Sequence, residues 1–118
     1  MTVNILGTEY TITRKKYEDE AIFKDRSIDG YCDSNTKDIV VCDLSTYPGW
    51  ENESENSKRI SEKLTLRHEI THAFLSESGL ADNTLHYDAG WAQNEEMVDW
   101  IAFQGPKIYA AWQSVDAL

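Results

Sequence analysis

The chain of 118 residues contains only two cysteines, Cys32 and Cys42. Two thiols do not make a disulfide framework, so the fold has to rest on its own apolar core. Their spacing of ten is not that of a zinc knuckle, and both are expected to be reduced, half-buried small residues. Basic runs are equally scarce. None is longer than Arg14-Lys15-Lys16, and 11 Lys and Arg face 21 Asp and Glu, for a formal net charge of −10. Phosphates would be repelled by such a surface, so neither nucleic acid nor an anionic membrane is an expected partner. Long apolar runs are missing too. No segment approaches the roughly 18 apolar residues of a membrane span, and Met1 to Leu6 lack the basic and apolar regions of a signal peptide. A cytoplasmic protein is therefore expected. With no linker, repeat or low-complexity stretch, residues 1–118 read as one domain.

What is present is a globular composition, 41% hydrophobic with four Trp and six Tyr. Val3 to Leu6 and Glu9 to Thr13 alternate apolar and polar residues around Gly7-Thr8, which predicts a β-hairpin. Ile28 to Asp33 and Asp38 to Asp43 flank Ser34-Asn35-Thr36-Lys37, a second hairpin signal, and the β-branched run Ile39-Val40-Val41 suits a strand. Thr46 to Asn52, with Pro48-Gly49, reads as a loop. A helix is expected from Ser54 or Ser57 to Ser78, with Ile60, Leu64, Ile70 and Phe74 as its apolar stripe and Gly79 as its stop. Leu80 to Gly90 is a connection, Trp91 to Phe103 a second helix, and Pro106 can open a third. The expected class is α+β: a small antiparallel N-terminal sheet packed on the His68 helix and C-terminal helices.

The chemistry lies in His68-Glu69-Ile70-Thr71-His72. Histidines four apart on a helix share one face, where both can reach one tetrahedral ion at about 2.0–2.1 Å. Glu69, on the flank of that face, can take a proton from water activated there. Chance is the competing explanation, but two of only three histidines fall at this spacing with a glutamate between them. A catalytic zinc needs a third protein ligand and an open position. Glu95 is the first candidate, with Glu96 and His86 as competitors. Asp99, four residues after Glu95, can accept the outer N–H of a ligand histidine. Val98, Ile101 and Ala102 mark the core side of this helix and favour Glu95 over Glu96 as the inward carboxylate. The plainer reading of these acids is a solvated helix face.

Arg67-His68-Glu69-Ile70-Thr71-His72-Ala73-Phe74, followed by Glu95-x-x-Val98-Asp99-x-Ile101-Ala102, resembles the ImmA/IrrE-type metallopeptidases, within the gluzincin arrangement of thermolysin-like enzymes. The motif match spans residues 67 to 102. The whole chain is similar to the short single-domain members of phages and Firmicutes. The resemblance implies one zinc on His68, His72 and Glu95, with Glu69 as base. It also implies a protein or peptide substrate, such as a regulator of a phage or mobile element, in a bacterial or phage-infected cell. At this length, unlike the longer members, no appended regulatory or DNA-binding domain is expected.

Peptide hydrolysis would also need a donor for the oxyanion, and His86 and Tyr87 are the candidates, with Tyr47 a weaker one. An extended substrate could pair with an exposed sheet edge, for which the Asp38 to Asp43 strand is the expectation. Trp50 could line a cleft, while Trp100 and Trp112 are expected in the core. The competing function is a zinc-binding interaction module, such as an anti-repressor, with little or no turnover.

Overall fold

A computed structural model of the chain describes residues 1–81 and 90–118. The architecture is α+β, and among the described residues it comprises a four-stranded mixed sheet with three helices. Strands β1 (Thr2–Ile5) and β2 (Thr8–Lys15) form the first hairpin. Its turn residues Leu6 and Gly7 both have positive φ, 50° and 94°. Two such residues match the right-handed twist of the flanking strands, and glycine takes the second without strain. The second hairpin joins β3 (Gly30–Asp33) to β4 (Asp38–Cys42), with Cys32 opposite Ile39. Asp33 starts its turn by accepting from the N–H groups of Asn35 and Thr36.

The sheet order is β1-β2-β4-β3, and β2 pairs with β4 in parallel. This corrects the expectation of a purely antiparallel sheet. Each hairpin is local and legible, but turn residues do not specify how two hairpins join. After β2 the chain passes through a 3-10 turn (Tyr17–Asp19) and helix α1 (Ala21–Asp25), then re-enters at the far edge as β3. A second correction follows. The Asp38 to Asp43 segment is not an edge, because β4 is central and β3 is the edge. The reason is in β4 itself: Ile39, Val40, Val41 and Cys42 are all buried, and a continuous apolar run needs cover on both faces.

That cover comes from two sides. Ile39 joins Ile5, Tyr10 and Ala73 beneath helix α2 (Glu55–Glu77), with Leu66 and Ile70 packed against them. Val40 and Cys42 pack with Phe23 of α1, together with Tyr17, Tyr31 and Tyr47. Both cysteines are free. Helix α3 (Glu95–Ser114) lies on α2. The layers therefore run α1, sheet, α2, α3. Because α2 is covered on two sides, its apolar residues do not form one stripe. Ile60 and Phe74, expected in that stripe, are largely exposed.

Helix α2 starts where the Ser54 side chain accepts from the Ser57 N–H, and it ends before Gly79, whose φ is +80°. Two carboxylates tie it to the sheet. Glu62 accepts from the Arg14 guanidinium at 2.9 and 3.0 Å and from the Leu44 N–H at 2.9 Å. Glu77 accepts from Tyr10 Oη at 2.7 Å, from Thr8 Oγ1 at 3.0 Å and from the Lys37 ammonium. These three donors, Lys37 foremost, hold the Glu77 carboxyl down at about 2.

Helix α3 departs from expectation at both ends. Trp91–Gln93 is a separate 3-10 turn, and the helix begins only after Asn94, whose side chain accepts from the Met97 N–H at 2.9 Å. It then runs through Pro106 rather than restarting there. Val98 and Ala102 are buried, whereas Ile101 and both helix tryptophans expected in the core, Trp100 and Trp112, are exposed. No helix among the described residues is long and apolar enough to cross a membrane.

Candidate metal centre

Four residues singled out by their sequence spacing meet between α2 and α3. His68 Nε2 lies 3.0 Å from His72 Nε2 and 3.1 Å from Glu95 Oε2, and His72 Nε2 lies 3.2 Å from Glu95 Oε1. A tetrahedral ion with bonds of 2.0–2.1 Å sets its ligand atoms about 3.3 Å apart. Each of the three contacts is close to that edge, with Glu95 meeting His68 through one carboxylate oxygen and His72 through the other. Asp99 Oδ1 stands 2.8 Å from His68 Nδ1. A carboxylate only accepts, so Nδ1 carries the proton and the Nε2 lone pair points to the centre. Burial pushes the His72 imidazole below its ordinary value, which favours the neutral form that a metal requires.

Glu69 is placed differently. It turns from the α3 side toward β3 and is only 6% exposed. Its ligand atoms and those of His68 and His72 lie within 4.8 Å of one another. Burial raises its carboxyl to about 7. His68 opposes that rise, while Glu95 and Asp29 add to it. A carboxyl in that range suits proton transfer near neutral pH.

The fold admits this arrangement through Gly30, a residue without a motif to announce it. A Cβ there would come within 2.5 Å of Thr65 Cγ2, 3.1 Å of the Val40 carbonyl and 3.5 Å of Glu69 Cγ. The bare backbone of Gly30 lets α2 approach β3, and Asp29 fixes the same spot by accepting from Thr65 Oγ1 at 3.0 Å. A glycine opening a strand, opposite a helix with β-branched Thr65, is the only sequence signal of this contact.

Two cavities flank the centre. One, of about 540 Å³, is polar and includes Ser34, Lys37, His72, Ser76, Gln93 and Glu95. The other, of about 340 Å³, includes Ile28, Gly30, Leu64, His68, Glu69 and Asp99. Strand β3 spans the distance between them. Gly30 lines one cavity, and Ser34, just past the strand's end, lines the other. Among the described residues, β3 pairs only with β4, so its outer edge faces the cleft unpaired.

The remaining candidates fall elsewhere. Glu96 is exposed and lines neither cavity beside the centre, lying instead near Trp91, Met97 and Trp100. Tyr47 packs edge-on against Tyr17, 4.8 Å between ring centroids, among the residues on the α1 side of the sheet. Trp50 lines neither cavity. His86 and Tyr87 lie outside the described residues. Comparison of the chain with protein-family models, with curated proteins and with solved structures finds no match.

Proposed function

We propose that this protein is a zinc-dependent peptidase of the ImmA/IrrE type, with His68, His72 and Glu95 as metal ligands. The observation that carries this reading is the convergence of the two imidazole nitrogens and the Glu95 carboxylate, with contacts of 3.0–3.2 Å, together with the Asp99 contact that fixes the tautomer of His68. The donor set suits zinc: two imidazoles and one carboxylate leave a fourth position open. Zinc held there supplies Lewis acidity, which polarises a carbonyl and acidifies water.

The chain's own residues do the rest. Glu69 accepts the proton of the attacking water and returns it to the leaving nitrogen as the C–N bond breaks. The burial of Glu69 keeps bulk water from competing with it for that proton. Asp99 holds the His68 ring in place. The edge of β3 that is unpaired among the described residues offers backbone N–H and C=O groups to an extended peptide, which would reach both cavities as it passed the centre. That shape supports a protein or peptide substrate.

A zinc-bearing interaction module without turnover is the second reading. The exposed aromatic residues Trp91, Trp100, Phe103 and Trp112 favour it. Glu69→Gln separates the two. The peptidase reading expects zinc to be retained and cleavage of an unstructured protein substrate to fall about 10²–10⁴-fold. Cleavage undiminished in Glu69→Gln would remove Glu69 from the mechanism, and wild-type protein that binds zinc but cleaves nothing would favour the module.

A further inference from the structure

Pro106 sits inside α3. Proline has no N–H, so the carbonyl of Ala102, four residues earlier, loses its usual in-helix donor. Ala102 is one of two buried residues of this helix, and a carbonyl left there without a partner is costly. The Arg67 guanidinium fills the gap. Its Nε donates to the Ala102 carbonyl oxygen at 2.6 Å. Donors that carry a charge make stronger bonds than neutral ones. Among the described residues Arg67 forms no ion pair.

The place of this bond matters more than its strength. Arg67 directly precedes His68 on α2. On α3, Ala102 lies one turn past Asp99 and two turns past Glu95. The bond therefore crosses the two helices next to the point where their side chains meet. Among the described residues the buried part of α3 is small. Val98 and Ala102 are the buried residues of α3, and Trp100 and Phe103 beside them are 58% and 57% exposed.

We propose that Arg67 is a positioning residue of the metal centre. By satisfying the carbonyl that Pro106 orphans, it holds α3 at the distance from α2 that brings Glu95 and Asp99 to His68 and His72. The pair acts as a lock, since Pro106 reserves the acceptor and Arg67 supplies the donor. With an N–H at position 106 the helix would satisfy Ala102 by itself, and α3 could shift without leaving a buried carbonyl bare. This inference rests on the metal reading of the centre given above.

The test is a double-mutant cycle on the full chain, read by Co²⁺ and Zn²⁺ affinity and by the Co²⁺ absorption spectrum. Arg67→Met is expected to weaken metal binding about 10–100-fold, the range for residues that orient ligands from outside. Its Co²⁺ spectrum should shift from the wild-type form. In the Pro106→Ala background the same substitution should cost only a few-fold, because the alanine supplies the missing N–H. Unchanged affinity and spectrum in Arg67→Met would overturn the proposal. So would an equal loss in both backgrounds, which would mean that Arg67 acts by another route. If Arg67→Met does not fold, Arg67→Lys carries the same cycle. Its smaller loss must again shrink in the Pro106→Ala background, and no loss, or an equal loss in both backgrounds, overturns the lock. A wild-type chain that takes up neither ion overturns the metal reading itself, an outcome distinct from a wild-type site that is indifferent to Arg67.

Discussion

Helices α2 and α3 each supply half of the centre, yet they are held in different ways. Helix α2 contributes Ala73 to the main core, with Leu66 and Ile70 against it. Glu62 and Glu77 tie it to the sheet fifteen residues apart. Helix α3 buries Val98 and Ala102 and leaves Trp100, Phe103, Tyr109 and Trp112 more than half exposed. The histidines and Glu69 are thus set by the core of the domain. The carboxylates Glu95 and Asp99 are set by a thin helix contact, the Arg67 bond and their own contacts with the histidines. On the proposed metal reading, stability and metal affinity therefore need not move together. Changes under α2 should unfold the domain, and changes under α3 should loosen the centre first.

The largest effect on stability is expected from the α2 side. Ile39→Ala, in the fully buried cluster beneath α2, should cost about 2–5 kcal/mol of unfolding free energy. Val98→Ala on the α3 side removes two methyl groups and should cost about 1–2 kcal/mol. Metal titration and thermal unfolding on the same samples decide the contrast. Val98→Ala should weaken metal binding out of proportion to its loss of Tm. If affinity and Tm fall in step in both variants, the two helices form one unit and the contrast between them is lost.

A smaller effect concerns Glu77 and is specific to acid. Its carboxyl is held at about 2, below the usual glutamate value. A depressed folded-state value contributes stability that is complete above the unfolded value near 4.3 and is lost as pH falls toward 2. Thermal unfolding from pH 6 to pH 2 should show this loss in the wild type and a flatter acid limb in Glu77→Gln. Identical acid limbs would remove Glu77 from the anchoring of α2.

Much of this is legible in the sequence where a pattern is local. The hairpin partner Cys32–Ile39, the span of α2 and the meeting of His68, His72, Glu95 and Asp99 all follow from spacing along one or two elements. The parallel pairing of β2 with β4 is not legible, because it joins segments more than twenty residues apart with no turn chemistry between them. The central place of β4 can be read from Ile39-Val40-Val41-Cys42, a run too continuous for an edge strand. Gly30 signals its contact only faintly, because a close helix approach is a property of two elements, not of one. Pro106 misleads for a related reason. By itself it signals a helix start, yet the helix passes through it, and Arg67, thirty-nine residues earlier, donates to the carbonyl that loses its in-helix partner. The tryptophans of α3 mislead because large apolar residues imply burial only where a neighbour exists to cover them.

Whether α3 completes a metal site begun on α2 is decided most directly by the metal content of the full chain. Protein loaded with zinc and freed of excess should carry about one zinc per chain, and Glu95→Ala should bind it far more weakly while its Tm without metal stays near that of the wild type. A wild-type chain without zinc, or a Glu95→Ala chain that keeps it at undiminished affinity, would show that the two helices do not share a metal.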